Sequence, residues 1–288
     1  GKFKDWGFEG SINYNGKIGE VQYHVGGNIT FARNELTDYG GTSVLKSGYT
    51  STQQGYSLNS IFGLRYGGKI QNEEMLKAYL AKYYPNNGIG MPSNLRVGDN
   101  MYCDENGDGV LDYRDYIYLG SDTPEISYSF NAGASWKGID FNIVFQGSAN
   151  RFVYRGIDAW TVPFRSLYTN STTSSIGNTW SETNPNAYYN PYTTDANIVS
   201  YNYQANSLTA QDGRYIRLKN ITIGYNLPAS VLKKLGFVNA ARIYFTGEDL
   251  WESTKITDGW DPEAKRNASD VSRYPFTRNF TFGLNLTF

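Results

Sequence analysis

The sequence of 288 residues has little of the chemistry found in disulfide-rich or catalytic proteins, since it contains one cysteine and one histidine. A single cysteine, Cys103, excludes an internal disulfide framework. No apolar run approaches the roughly 18 residues that indicate a transmembrane helix, and the mean hydropathy is -0.52. These absences exclude a helical membrane protein. They do not exclude a membrane β-barrel, because only one face of each barrel strand is apolar.

An excess of charge of either sign is also missing. The sequence has 26 Lys and Arg against 27 Asp and Glu, a net charge of -1, so nothing indicates a surface for nucleic acid. His24 falls on the polar side of a predicted strand, and no serine near it lies on a nucleophile elbow. The adjacent carboxylates Glu248 and Asp249 would point to opposite sides of a strand. We therefore assign no catalytic residue and predict that the protein is not an enzyme.

Aromatic residues, in contrast, are abundant. They make up 16% of the sequence, with 25 Tyr and 6 Trp, more than core packing requires. Such a surplus is typical of the aromatic girdles at two membrane interfaces, and of loops that contact sugars or peptides. A tyrosine-rich secreted β-sandwich would share this composition.

Alternation of apolar and polar residues is the main secondary-structure signal. In the last thirteen residues, every large apolar side chain from Phe276 to Phe288 lies on an even position, which predicts a strand with one apolar and one polar face. We expect turns at Asn15-Gly16 and Lys137-Gly138, and a bulge near Lys219-Asn220. The predicted antiparallel strands are 6–14, 20–34, 126–136, 139–150, 214–227, 240–249 and 276–288.

The connections between these strands alternate in length. Short ones at 15–19, 137–138 and 228–239 are separated by long ones at about 35–125, 151–213 and 251–275, the pattern of outer-membrane barrels with short periplasmic turns and long external loops. The first long connection contains a predicted amphipathic helix at 72–84. The short connection at 228–239 contains a predicted helical turn at 230–235. The sequence thus predicts an all-β fold, an antiparallel transmembrane β-barrel with long extracellular loops.

Seven strands do not close such a barrel. Bacterial barrels have an even number of strands, and unpaired strand edges in lipid cost several kcal/mol for each backbone group. No apolar export signal is found near Gly1. We therefore expect residues 1–288 to be part of a longer chain.

One loop carries a sharp metal-binding pattern. Oxygen-bearing side chains fall at loop positions 1, 3, 5, 9 and 12, with a backbone carbonyl available at position 7, a spacing that wraps hard ligands around one Ca²⁺. Asp replaces the usual bidentate Glu at position 12, as in dockerin-type loops, which should weaken binding. The alternative is a turn without metal, because Asn-Gly-Asp-Gly is a strong turn former. The predicted ligands of a structural calcium ion are Asp104, Asn106, Asp108, Val110, Asp112 and Asp115.

Several motifs together resemble one family, the SusC/RagA-like TonB-dependent outer-membrane transporters. The resemblance covers nearly the whole chain. Asp249 stands where the family commonly has Asn, and Trp260 where it usually has Tyr. The segments that carry the resemblance are Gly98-Asp99, Asp104–Gly109, Leu119–Glu125, Tyr215–Pro228, Ala241–Leu250, Thr254-Lys255, Gly259–Glu263 and Tyr274-Pro275.

The resemblance implies the C-terminal portion of a barrel of about 22 strands with a plugged lumen, located in the bacterial outer membrane. It implies TonB-dependent import of glycans or oligopeptides. The implied partners are a SusD-like surface lipoprotein, TonB acting through an N-terminal region outside this sequence, outer-membrane lipid, and the glycan or peptide substrate. The alternative is a secreted, calcium-stabilised β-rich module that binds glycans or acts as an adhesin.

Overall fold

The computed structural model describes residues 1–41, 44–47, 50–84, 87–154, 171, 173–257, 261–264 and 276–288, and of 44–47, 50 and 235 it describes the backbone only. Some residues used in the sequence interpretation lie outside the described residues. These are Gly259-Trp260 and Tyr274-Pro275.

Strands dominate the described part of the chain. In chain order they are β1 Lys2–Ile18, β2 Val21–Asp38, β3 Val44–Ser47, β4 Thr50–Gln53, β5 Ser60–Leu64, β6 Tyr66–Lys69, β7 Asn100–Tyr102, β8 Tyr116–Ser121, β9 Ile126–Trp136, β10 Ile139–Ala149, β11 Phe152–Val153, β12 Gln211–Asp212, β13 Tyr215–Asn226, β14 Ala240–Thr254 and β15 Asn279–Thr287. The helices are α1 Glu73–Tyr83, α2 Ala196–Asn202 and α3 Ala229–Leu235, with 3₁₀ turns at Tyr113–Asp115 and Thr173–Ser175. No helix among the described residues has the length and apolar character needed to cross a membrane.

The long strands form one antiparallel sheet in the order β1-β2-β9-β10-β13-β14-β15. All seven strands predicted from alternation are present and paired with their expected neighbours. Because β2 pairs directly with β9, residues 39–125 leave the sheet and return to the adjacent position, as predicted for a single excursion. The short strands within 39–125 belong to separate small sheets.

The turn between β1 and β2 is not where the sequence suggested. Asn15 and Gly16 are paired strand residues, opposite His24 and Tyr23, so the prediction of a turn there is wrong. The chain turns after Ile18, at Gly19, whose φ of +60° suits glycine. Gly16 serves a different purpose, because a Cβ atom there would lie 2.4 Å from the Tyr23 ring.

The remaining local predictions are confirmed. Lys137 and Gly138 both have positive φ, 46° and 88°, as the tightest hairpin turns require. The pairing register of β13 with β14 shifts between Leu218 and Asn220, so Lys219 is the residue of the predicted bulge. A short helix, α3, lies in the connection at 228–239.

Helix α1 matches its predicted position closely. The side chain of Asn72 caps it by accepting a hydrogen bond from the Met75 backbone N–H at 2.8 Å. Acidic residues in its first turn and Lys82 in its last turn complement the helix dipole. Its buried face, formed by Leu76, Tyr79 and Tyr83, packs into an apolar core.

The two long excursions before and after β9–β10 pack together. We call their described residues within 39–125 and 150–213 the loop domain. Tyr201 of α2 joins the core formed by the first excursion, and the Leu64 backbone N–H donates to the Ala205 carbonyl at 3.0 Å. The other buried members of that core are Leu64, Ile70, Leu76, Tyr79, Tyr83, Met91, Leu95, Tyr102 and Leu111.

Candidate functional site

One face of the seven-stranded sheet is apolar and exposed. Phe282 of β15 is 81% exposed, and its ring packs only laterally, against Phe245 of β14 at 5.1 Å between centroids. Contiguous exposed apolar surface of this kind marks contact with a membrane or another protein. Further exposed side chains on this face are Phe8, Ile12, Tyr14, Val25, Ile29, Phe130, Ile139, Ile223, Tyr225, Ile243, Phe280, Leu284 and Leu286.

The opposite face is polar, and hydrogen bonds between strands connect its side chains. The Asn28 amide donates to the Ser129 hydroxyl at 2.7 Å, and the Thr222 and Thr246 hydroxyls lie 3.1 Å apart. These contacts follow from the register, because directly opposite residues of neighbouring strands share a face. The alternation in the sequence therefore gives both faces correctly.

Glycines on the polar face leave room for longer polar side chains. His24 Nε2 lies 3.2 Å from the Asn142 amide oxygen, across Gly133, where a Cβ atom would lie 2.3 Å from the imidazole. Arg242 forms an ion pair with Asp140 at 2.5 Å across Gly224 in the same way. Sequence analysis placed His24 on this face but missed the Arg242–Asp140 pair. Glycines at polar positions of an alternating strand were the available signal.

A charge network lies on β13 and β14, beside the bulge at Lys219. Arg217 has a fully buried side chain that contacts three carboxylates. Its guanidinium donates to Asp261 at 2.6 Å and lies 3.2 Å from Glu263, and Glu252 on β14 is the third partner.

Two further basic residues extend this network. Lys219, the bulge residue, contacts Asp249 at 3.0 Å and Glu263 at 2.8 Å. Arg151 donates to the backbone carbonyls of Pro262 and Ala264. Basic residues from β13 and from the segment after β10 thus fix the 261–264 segment to the sheet. Sequence reasoning found the bulge but not the charges that it positions.

Buried asparagines and tyrosines hold the loop domain together. The Asn202 side-chain oxygen accepts from the Asn100 backbone N–H at 2.8 Å, and the Asn190 amide donates to the Asn100 side-chain oxygen at 2.8 Å. The Tyr102 hydroxyl donates to the Tyr201 carbonyl at 2.7 Å. Burial raises the pKa values of Tyr102 and Tyr201, because the phenolate form is desolvated there.

The predicted calcium ligands lie together in one loop of this domain. Asp104 accepts backbone hydrogen bonds from Gly107 at 2.8 Å and Gly109 at 2.9 Å. The Asn106 side-chain oxygen accepts from the Asp108 N–H, and the Asp108 carboxylate from the Val110 N–H, both at 2.9 Å. The loop therefore turns through its own side-chain oxygens, with Gly107 and Gly109 at positive φ.

The second half of the loop is held in the same way. Asp115 is buried and accepts from the Asp112 N–H and the Glu105 N–H, both at 2.9 Å. Arg114 contacts Asp112 at 2.7 Å and Asp108 at 2.9 Å, and the hydrogen bond from Arg114 lowers the pKa of Asp112.

The donor set suits calcium, since it consists of carboxylate and amide oxygens. The geometry of the loop does not itself gather them. Among the described residues, no three His, Cys, Asp or Glu side chains converge at metal-binding distances. Because the Arg114 guanidinium pairs with two of the carboxylates, calcium binding requires its displacement. The calcium site stays a prediction.

The fold and the two faces of the sheet define a class, the wall of an outer-membrane β-barrel with large loops. Comparison with known proteins shows which outer-membrane proteins this chain is similar to. The chain is 30% identical over 249 residues to the TonB-dependent receptor P3 of Formosa agariphila, covering 82% of this chain and 23% of that receptor. It is 24% identical over 309 residues to the TonB-dependent receptor SusC of Bacteroides thetaiotaomicron, covering all of this chain and 27% of SusC. No protein-family model matches the sequence.

Solved structures agree with the sequence relatives. The chain superposes on the RagAB peptide transporter with a TM-score of 0.72 at 21% identity, covering 99% of this chain and 29% of the matched one. The resemblance to SusC/RagA-like TonB-dependent transporters is thereby confirmed, and the chain is a homologue of these receptors over most of its length.

Several earlier expectations follow from this relationship. The sheet is part of a barrel, the protein is located in the bacterial outer membrane, and its homologues are receptors and transporters, not enzymes. The chain spans about a quarter of the length of the curated relatives it matches. The assignment of residues 1–288 to the C-terminal portion of a barrel of about 22 strands remains a prediction.

Proposed function

We propose that the protein containing this chain imports nutrients across the bacterial outer membrane in a TonB-dependent manner. The observation that carries the proposal is the sheet itself, with an exposed apolar face, a hydrogen-bonded polar face and homology to TonB-dependent receptors. In a barrel, such a sheet places apolar side chains against lipid and polar side chains toward the lumen. We place His24, Arg242 and Asp140 on the lumenal side for this reason.

The substrate class in this proposal is a glycan or an oligopeptide. The resemblance to SusC-type receptors supports a glycan. The similarity to the RagAB peptide transporter supports an oligopeptide. The polar face presents amides and hydroxyls, such as Asn28, Ser129 and Asn142, that hydrogen-bond to either class.

We further propose that the chain assembles with a SusD-like surface lipoprotein above the barrel. Relatives of the RagAB type support a two-component arrangement. The loop domain provides a preformed surface for it, because its two excursions share one core. TonB would act through a region of the whole protein outside this chain, and outer-membrane lipid would surround the apolar face.

A growth experiment tests the proposed import. A strain without the full-length protein is compared with its parent on casein peptides and on a panel of oligosaccharides, each as sole carbon source. Growth on one of these should fail and should be restored by the full-length gene in cells that have TonB, but not in cells that lack it. Unimpaired growth of the deletion strain on every source would contradict the proposal.

Migration on detergent gels distinguishes this function from the secreted-module alternative. A complete barrel resists unfolding in detergent unless it is heated, so heated and unheated samples should migrate differently. Identical migration, together with recovery of the protein in the culture medium, would favour the secreted module.

We also propose that the loop from Asp104 to Asp115 binds a structural Ca²⁺. The spacing of its oxygens and their position in one turn support the site. The ion would stiffen the segment before β8 and β9 without taking part in transport.

A further inference from the structure

Lys69 and Asn100 face each other inside the loop domain. They are directly opposite residues of the antiparallel pair β6–β7, so their side chains extend from the same face of the ladder. Lys69 is 3% exposed and Asn100 is 1% exposed. A lysine buried to this degree is unusual, because burial of its charged form is costly unless a partner compensates it.

The amine of Lys69 lies beside the Asn100 side-chain amide. Nζ is 3.3 Å from the Asn100 side-chain oxygen, and in the described part of the chain this is the one hydrogen bond of the amine. Desolvation lowers the pKa of Lys69 to about 8, and the charge of Asp99 offsets only part of this effect. A substantial fraction of Lys69 is therefore neutral and nucleophilic near physiological pH.

The Asn100 side chain is held firmly, because both ends of its amide are hydrogen-bonded. Its Nδ2 donates to the Asn202 carbonyl at 2.8 Å, and its oxygen accepts from the Asn190 amide at 2.8 Å. A fixed donor on a carbonyl oxygen stabilises the negative charge that develops there when a nucleophile adds to the carbon.

A buried acid next to Asn100 in the chain favours the charged form of Lys69. Asp99 precedes Asn100 in the chain, its carboxylate is fully buried, and it accepts from the Asn202 amide at 2.8 Å. Burial raises its pKa. Asp99 is coupled electrostatically to Lys69, and its carboxylate also accepts from the Arg96 backbone N–H at 2.7 Å.

We propose that Lys69 and Asn100 form an intramolecular isopeptide bond. The neutral Nζ adds to the side-chain carbonyl carbon of Asn100, and the bond between that carbon and Nδ2 breaks. One proton passes from Nζ to Nδ2, so that one secondary amide forms and one ammonia leaves. No oxidant or other reactant is needed. The bond closes a covalent loop around α1 and joins β6 to β7 against proteolysis and unfolding.

Peptide mapping of the full-length protein from outer membranes tests the bond directly. Trypsin cannot cleave after an acylated lysine, so digestion should yield residues 66–77 joined to residues 97–114. This product should be lighter than the sum of the two peptides by one ammonia. Lys69→Met and Asn100→Leu should abolish it, whereas Lys82→Met, a change on the outer part of α1, should retain it.

The same digest contains the outcome that would overturn the proposal. Full recovery of the free peptide 66–69 and of unmodified 97–114 from folded wild-type protein would show that Lys69 and Asn100 only share a hydrogen bond. This result does not depend on the folding of any variant, nor on whether the protein transports nutrients.

Discussion

The hydroxyl groups of Tyr79 and Tyr201 lie 2.9 Å apart, although 122 positions separate the two residues in sequence. Tyr79 belongs to α1 and Tyr201 to α2, so this hydrogen bond joins the two excursions within one core. The Tyr79 oxygen also accepts from the Tyr102 backbone N–H at 2.9 Å. The two loops therefore form one domain.

Alkaline pH should weaken the loop domain through these tyrosines. Burial raises the pKa of Tyr79 from 10.0 to about 12, so its contribution to stability is complete below pH 10 and is lost as the pH rises toward about 12. Between these values the unfolded state releases the proton and the folded state does not. Unfolding of the domain, followed by tyrosinate absorbance and proteolysis, should become easier with pH in this range.

Tyr79→Phe tests the same relationship. It leaves the Tyr102 N–H without its acceptor, which should cost about 1–3 kcal/mol at neutral pH. It should also reduce the loss of stability between pH 10 and pH 12, because one buried phenol is gone. Tyr84→Phe, at a position 42% exposed, is the control and should change neutral stability by less than about 0.5 kcal/mol. An unaltered alkaline slope in Tyr79→Phe would contradict the assignment.

The two faces of β15 should differ in their tolerance of charge. Phe282→Arg places a charge on the apolar face at a cost of about 2–4 kcal/mol near the bilayer midplane. Thr281→Arg, one residue away at nearly the same depth, places it on the polar face and should be tolerated. Assembly is measured as the heat-modifiable fraction of the full-length protein in outer membranes. Equal impairment by both substitutions would show that the faces are wrongly assigned.

Arg217→Met should release the 261–264 segment from the sheet. The substitution removes the buried cation that Glu252, Asp261 and Glu263 share, while Lys219 still pairs with Glu263. Removing one partner of a buried ion pair costs about 3–5 kcal/mol. The variant should therefore unfold at a lower temperature, and proteolysis within 251–275 should increase.

Arg214→Met is the matched control for Arg217→Met. Arg214 forms a largely exposed pair with Asp212 at 2.6 Å, and pairs of this kind contribute about 0–1 kcal/mol. If both variants unfolded at the wild-type temperature, the Arg217 network would not be an anchor.

Calcium should stabilise the loop at Asp104–Asp115. Sites of the extracellular type bind in roughly the 10⁻⁴ to 10⁻³ M range, so millimolar CaCl₂ should raise the unfolding temperature of the loop domain more than MgCl₂ does. Asp108→Asn retains an acceptor for the Val110 N–H but removes a charge, and it should reduce the calcium response. The absence of any calcium-dependent shift in wild-type protein would leave the loop a metal-free turn.

Local signals in the sequence were reliable where neighbouring residues decide the structure. Strand alternation around Phe282 gave the two faces of the sheet, and the slip at Lys219 gave the bulge. The apolar stripe within residues 72–84 gave α1. The turn at Asn15-Gly16 failed because an Asn-Gly pair also fits a strand in which glycine makes room for a cross-strand ring.

Other features depend on residues that are distant in sequence. Nothing near Lys69 shows that its partner is Asn100, and nothing near Arg217 points to Asp261 and Glu263. The placement of His24 over Gly133 likewise requires the register between β2, β9 and β10.

The sequence by itself determined the seven strands, their faces and the outer-membrane class, because side-chain alternation is a local property that a membrane requires of every barrel strand. The tertiary structure alone decided how the two excursions share a core, which charged residues hold the 261–264 segment, and that Lys69 lies beside Asn100. These depend on residues between 31 and 122 positions apart meeting in a low-dielectric interior, where each buried polar group must find a partner.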